Sequence, residues 1–452
     1  MHKRLLAKFQ TMIRVRLLQF MYLVFKALIG IGLRLFYPNT VVHNRQYLNT
    51  KGPMLLIGNH PNGMMDPINV ALHSRRMVHF LAKSQLFSNW FTRWFFNTFY
   101  CIPVQRSNFS TDQPIDMVRS FERCDIFLHE GGTLFVAPEG TSLNVRRILP
   151  LRTGAARIAL SAESKKDFQL GLRFVVSGVT YIDAGSFWSG QFISTSAPFG
   201  IEEFEETYRK DEVTAVKLVT EKIFRELKKL NIHLENDALI PDFERLIRWF
   251  NSGIEADPEQ FFIKGKLLAD DINRLEQNNP LLIESARTHI AVVENYMHKW
   301  HLKAEQVPES IEPTSVLSFI VHLLLAVLGL PCMLAGLVIH FIPNFLPWLI
   351  EKIAKQHSIY IATTKFVTGF FLYIIYYPLL VKWVLGMGLS GGLSLTIIAG
   401  GIICGLLFFP YINILQKLKT SFVTFFVKKN EKEMVKNEIL TLQDLISGKN
   451  TH

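Results

Sequence analysis

Pro53-Met54-Leu55-Leu56-Ile57-Gly58-Asn59-His60-Pro61-Asn62-Gly63-Met64-Met65-Asp66-Pro67 is the stretch on which the fold turns. The apolar run from Pro53 to Gly58 predicts a buried strand. Pro61-Asn62-Gly63 predicts a tight turn, since proline fixes φ, asparagine tolerates unusual φ and glycine takes positive φ at no steric cost. Asp66-Pro67 is a helix start, with an aspartate N-cap and a proline in the first turn. On one unbroken helix His60 and Asp66 would lie about 240° apart, because facing pairs need spacings of three or four. They can meet only across a turn. A histidine held by a carboxylate at one ring nitrogen offers the other as a proton acceptor near neutral pH, which is the layout of a general base and its orienter. Taken alone, the same residues also fit a helix cap and a satisfied core imidazole.

Working outward, Met77 to Ala82, Ile102 to Gln105, Thr133 to Ala137 and Leu172 to Tyr181 read as further strands. Met117, Phe121, Cys124 and Leu128 recur at helical spacing, and Arg152 to Ala162 reads as another helix. Strands alternating with helices specify an α/β domain, and the polar motifs fall at strand ends, where such sheets place ligand sites. Past Gly200, Val216, Val219, Ile223, Leu227 and Leu230 form one apolar helical face, and helical patterning continues to about residue 305 without recognisable chemistry. Pro308, Glu309 and Pro313 mark a linker.

At 452 residues the chain exceeds what one hydrophobic core usually covers. Val316 to Leu415 is dominated by apolar runs, so a membrane protein with a large polar part is expected. Phe366 to Leu385 and Leu389 to Ile412 are each long enough to span, given the roughly 20 residues a bilayer needs. Val316 to Ile350 is too long for one span, and Gly329-Leu330-Pro331 predicts a break into two short helices or a re-entrant hairpin. Lys352, Lys355 and Lys365 on one loop, and Lys417, Lys419, Lys428 and Lys429 on the tail, oppose the uncharged Gly386 to Gly392. That distribution predicts an even number of crossings with both basic regions cytoplasmic. Leu17 to Phe36, preceded by basic residues and interrupted by Lys26 and Arg34, predicts a retained anchor lying in or on the membrane. The formal charge of +11 clusters at Lys3, Arg4, Lys8, Arg14 and Arg16 and beside apolar segments, which suits anionic lipid headgroups and not nucleic acid. The four cysteines form no CxxC pair, so neither a disulfide framework nor a zinc site is expected.

Three further windows carry chemistry. Ile102-Pro103-Val104-Gln105-Arg106 is a strand delivering an arginine, whose planar fork of donors suits phosphate. Phe135-Val136-Ala137-Pro138-Glu139-Gly140-Thr141-Ser142 is a strand ending at a carboxylate in a turn, where Gly140 allows close backbone approach and Thr141 adds a hydroxyl. Leu151-Arg152-Thr153-Gly154-Ala155-Ala156-Arg157 leads to Val175-Val176-Ser177-Gly178-Val179-Thr180-Tyr181; its small residues let a helix pack on the sheet, and Arg152 adds a phosphate contact. No Walker A glycine-lysine loop, no G-x-S-x-G nucleophile elbow between a strand and a helix and no HExxH pair is present, which removes the common phosphoryl-transfer and hydrolase signatures.

In this order and spacing the windows resemble the phospholipid and glycerol acyltransferase (PlsC-like) family over residues 40 to 205. The resemblance implies an α/β fold with a mixed sheet flanked by helices, here followed by a helical extension and a C-terminal α-helical transmembrane region. It implies His60 as the base that deprotonates a glycerol hydroxyl, Asp66 as its orienter, and Arg106, Glu139, Gly140, Thr141 and Arg152 as the holders of a phosphate-bearing acceptor. The donor would be acyl-CoA or acyl carrier protein, with no metal and no cofactor. Five residues separate His60 from Asp66 where four are usual, Cys101 replaces a common glycine, and Val176 replaces a common proline. The longer gap resembles the glycerol-3-phosphate and dihydroxyacetone-phosphate branch. Glycerol-3-phosphate is therefore the expected acceptor, lysophosphatidate the alternative, and a non-catalytic membrane scaffold or transporter the reading from another class. The expected domains are an anchor over 1–38, the acyltransferase domain over 39–205, a helical extension over 206–312, transmembrane helices over 313–415 and a basic cytoplasmic tail over 416–452. The catalytic domain is expected to face the cytoplasm.

Overall fold

A computed structural model describes residues 2–83, 88–98, 101–104, 117–354 and 358–448. The chain divides into two compact units, Met1–Ile232 and His233–His452.

The first unit begins with α1 (His2–Phe36) and β1 (Asn39–His43). There follow β2 (Met54–Gly58), α2 (Met65–His73), β3 (Val78–Lys83), α3 (Trp90–Thr98), β4 (Cys101–Val104) and α4 (Met117–His129). It closes with β5 (Thr133–Val136), α5 (Gly154–Ser164), β6 (Arg173–Tyr181), β7 (Gly190–Thr195), α6 (Glu205–Lys210) and α7 (Glu212–Lys229). The seven strands form one mixed sheet in the order β1-β7-β6-β2-β5-β3-β4. All neighbours run parallel except β6 and β7, which place Tyr181 opposite Gln191. β2 is buried along its whole length, which is why its sequence is an unbroken apolar run instead of an alternating one.

Alternate residues of the central strands, Leu55 and Ile57, Leu134 and Val136, Phe174 and Val176, turn one face of the sheet into the core. Leu128 of α4, Ile158 and Leu160 of α5, and Val216, Val219, Ile223 and Leu227 of α7 cover that face. α7 is thus part of this core and not of an appended extension. Its closeness is fixed at Gly178, where a Cβ would sit 2.1 Å from the Leu230 carbonyl oxygen.

α1 is a single helix whose Arg16–Phe36 portion is long and apolar enough to cross a membrane. One side of it meets the unit: Tyr22 Oη accepts the Val78 N–H at 3.3 Å, Lys26 donates to the Ser74 carbonyl, and Leu33 and Phe36 are buried. Leu17, Phe20, Val24, Leu28, Ile31 and Leu35, at helical spacing, remain exposed.

The second unit is helical: α8 (Ile240–Trp249), α9 (Pro258–Asn278), α10 (Pro280–Lys299), α11 (Val307–Ile311), α12 (Val316–Ile339), α13 (Phe341–Ala354), α14 (Ile361–Leu385), α15 (Gly391–Phe426) and α16 (Lys429–Ser447). Among the described residues, α12, α14 and α15 are, with the end of α1, the four helices long and apolar enough to cross a membrane. The expected break at Gly329-Leu330-Pro331 is absent, and α12 runs through Pro331 to Ile339. Apolar surroundings favour keeping backbone groups paired inside a helix, so a proline is tolerated there. The chain instead breaks at His340, which is buried with Nε2 at 3.0 Å from the Gly401 carbonyl. α15 extends past residue 415, and the tail after it is the helix α16.

Candidate functional site

β2 and β5 are adjacent and parallel, so the loops at their C-terminal ends emerge side by side. One carries His60 and the other Glu139. The turn after β2 brings the histidine back onto α2: Gly63 takes φ 55°, and His60 Nδ1 lies 3.0 Å from Asp66 Oδ2. Asp66 falls in the first turn of α2 and its side chain is fully buried, whereas that of His60 is 21% exposed. The carboxylate has three donors, for Asn62 N–H reaches Oδ2 at 2.7 Å and the Tyr181 hydroxyl reaches Oδ1 at 2.7 Å. A carboxylate ringed by donors is an acceptor, so the proton of the His60 contact sits on Nδ1 and Nε2 presents its lone pair. Nε2 has no hydrogen-bond partner among the described residues. The pair is therefore arranged to take a proton from a hydroxyl placed at Nε2.

Several side chains fix this loop. Asn59 pairs with the Val179 backbone, accepting its N–H at 2.8 Å and donating to its carbonyl at 3.0 Å. Ser142 donates to the His60 carbonyl at 2.7 Å and accepts the Gly63 N–H at 2.9 Å. Asn62 Nδ2 donates to Tyr37 Oη at 2.8 Å and to the Ala184 carbonyl at 2.9 Å.

Glu139 is 5% exposed, and its carboxylate faces the backbone. Oε1 accepts the His60 N–H at 3.1 Å and Oε2 the Leu149 N–H at 3.4 Å. Burial raises its pKa to about 7, against the pull of these two donors, with the nearby Asp66 charge adding to the rise. In this arrangement Glu139 ties the His60 loop to the loop after β5. Gly140 follows with φ 64°, and Arg152 lies over it, with its Cγ 3.0 Å from where a Cβ would be. The Arg152 backbone N–H donates to the Pro138 carbonyl at 2.7 Å, while its exposed guanidinium takes no partner among the described residues. Thr141 is exposed beside it.

His60, Asp66, Glu139, Gly140, Thr141 and Arg152 thus gather at one end of the sheet. β4 runs parallel to β3 and ends toward that same side, but Arg106 lies outside the described residues. Sequence reasoning missed Asn59, Asn62, Ser142, Tyr37 and Tyr181 as site residues. Asn59, Asn62 and Ser142 stood inside the quoted windows, where turn chemistry was read from Asn62 and nothing from the other two. Tyr181 stood at the end of a predicted strand, where the polar tip of its large side chain was the signal available. Among the described residues no three His, Cys, Asp or Glu group to hold a metal ion.

The model of the family described as Acyltransferase matches residues 39–179, the segment from β1 into β6. Among solved structures, the crystal structure of the 1-acyl-sn-glycerophosphate (LPA) acyltransferase PlsC from Thermotoga maritima is similar at 19% identity and a TM-score of 0.33. The match covers 45% of this chain and 78% of that one. Comparison with curated proteins gives no match.

Proposed function

Because residues 39–179 form an acyltransferase domain of the PlsC-like family, we propose that the protein moves a fatty acyl group from acyl-CoA or acyl-acyl carrier protein to the hydroxyl of glycerol-3-phosphate in phospholipid biosynthesis. The observation that carries the reading is the His60 Nδ1 to Asp66 Oδ2 contact of 3.0 Å, with Nε2 left open on the unit's surface. The acceptor hydroxyl gives its proton to Nε2 as its oxygen attacks the thioester carbonyl carbon. The tetrahedral adduct collapses by breaking the C–S bond, and the imidazolium returns the proton to the leaving thiolate. Ester and free thiol are the products. Arg152, exposed beside the Glu139-Gly140 turn, and Arg106 supply fixed positive charge for the acceptor's phosphate. The apolar helices suit a lipid product, which can pass into the bilayer without crossing water.

The test supplies purified membranes with a labelled acyl donor and either glycerol-3-phosphate or lysophosphatidate, comparing wild type with His60→Ala. Losing a general base is expected to lower turnover by about 10²- to 10⁴-fold. Equal turnover by the variant would refute the dyad's role. Labelled phosphatidate from added lysophosphatidate, with no labelled lysophosphatidate from glycerol-3-phosphate, would move the acceptor to that lipid, and no labelled product from either would favour a scaffold.

A further inference from the structure

We propose that Tyr181 is a positioning residue for this chemistry, its hydroxyl fixing the Asp66 carboxylate that holds His60; the inference rests on the acyl-transfer reading above. Tyr181 is the last residue of β6, lies beyond the segment matched by the family, and is 2% exposed. Its hydroxyl stands 2.7 Å from Asp66 Oδ1, the oxygen that His60 does not use. Asp66 and Asn69, three apart on α2, share one helical face and converge on that same hydroxyl.

The direction of every bond in this cluster follows from the carboxylate, which can only accept. Tyr181 must donate to Oδ1. Its lone pair is then met by Asn69 Nδ2 at 3.3 Å, which turns Asn69 Oδ1 toward Gln191 Nε2 at 3.0 Å. Gln191, opposite Tyr181 in the β6–β7 register, also donates to Thr40 Oγ1 at 3.0 Å. The hydroxyl proton is thus aimed at Asp66 by a chain reaching back to β1 and β7. Burial raises the Tyr181 pKa well above its ordinary value, with the Asp66 charge reinforcing the effect, so the hydroxyl keeps its proton.

The titratable groups facing Asp66 are His60 after β2, Glu139 after β5, Tyr37 after α1 and Tyr181 itself; Asp183 bears on Tyr37. Without the tyrosine hydroxyl one carboxylate oxygen would be buried with no donor. The carboxylate would then be less well fixed and would bind the His60 proton more strongly.

Tyr181→Phe, which keeps the ring, is the test, with kcat, KM and the pH profile of kcat/KM measured beside the thermal transition. We expect kcat to fall about 10- to 100-fold, the worth of a hydrogen bond to a charged group. KM for both substrates should stay put, and the acidic limb should move up by about half to one pH unit. Asn69→Ala, which leaves the hydroxyl in place but unaimed, should move both readouts the same way by less. If Tyr181→Phe loses its thermal transition, Asn69→Ala alone decides on the same readouts. Turnover within about twofold of wild type and an unmoved limb, while His60→Ala is inactive, would make Tyr181 a core residue and overturn the proposal. Wild-type turnover in His60→Ala would refute the dyad itself, and no acyl transfer by the wild type would overturn the underlying acyl-transfer reading instead.

Discussion

Glu139 sits where two demands meet. Its oxygens satisfy two backbone N–H groups that would otherwise be buried without partners, yet its burial disfavours the charge that makes it a good acceptor. Its pKa rises from the ordinary 4.5 to about 7 in the folded protein. The sign follows from linkage. Below the unfolded value both states hold the proton, and the contribution is fully present. Between the two values the folded state keeps a proton that the unfolded chain has released, and above about 7 the contribution is gone. Stability from this group therefore declines as pH rises from about 4.5 to about 7, by up to about 3 kcal/mol. Glu139→Gln, uncharged throughout, should lose that decline. Across this window the thermal transition of the wild type should fall relative to that of the variant as pH rises, and parallel curves would show that Glu139 does not titrate there.

The element that decides whether the first unit folds is α7. Its Val216, Val219, Ile223 and Leu227 are buried on the sheet-facing core, each worth about 1.5–3 kcal/mol on burial. Together they contribute about 6–12 kcal/mol, comparable with the whole stability of a typical domain, about 5–15 kcal/mol. A chain ending at residue 205, where sequence patterning suggests the domain stops, should fail to fold, whereas one ending at Ile232 should give a cooperative melt. Equal melts for both would show α7 to be dispensable. The reason the boundary misleads is physical: an amphipathic helix announces that it has a buried face but not what that face covers. The strands β2, β3, β5 and β6 were legible because each carries a cluster of apolar and β-branched residues. β1, Asn-Thr-Val-Val-His, and β7, Gly-Gln-Phe-Ile-Ser-Thr, were not, since short strands rich in polar residues look like loops. The site divides the same way. His60 and Asp66 could be paired from a turn of seven residues, but Tyr181, 115 residues from Asp66, meets it only through the sheet order.

The contacts of the second unit set the relative directions of its apolar helices, and with them a testable membrane topology. Along α12 and α15, Phe319 meets Phe425 at 5.5 Å between rings, Tyr411 Oη donates to the Ala326 carbonyl at 2.9 Å, and the Cys332 and Cys404 sulfurs lie 3.2 Å apart. His340 then meets Gly401, so these two helices are antiparallel. α13 and α14 are antiparallel as well, through Asn344 with Tyr373 at 2.8 Å and Glu351 with Lys365 at 3.6 Å. α14 and α15 form a hairpin through the short loop between Leu385 and Gly391. α13 must then run back against α12. Tyr376 donates to the Ile339 carbonyl, so the α12–α13 turn at His340 is level with Tyr376 and Gly401, and about ten residues of α14 and of α15 continue past it. At about 1.5 Å per residue that is roughly 15 Å, so the α12–α13 pair turns back short of the far end of the α14–α15 hairpin. An even number of crossings also agrees with the helices that flank the apolar stretch, for α16 returns to α10 and to the segment after α11 through Glu431 with Lys299 at 2.9 Å, Glu438 with His289 at 2.5 Å and Lys436 with Glu312 at 2.8 Å. Helices before and after the apolar stretch can pack only if they share one side of the membrane. Met387→Cys, in the α14–α15 loop, should therefore react with an impermeant thiol reagent from the face opposite to Gly448→Cys, at the end of α16. Reaction of both from the same face would mean an odd number of crossings and a different arrangement of α12 and α13.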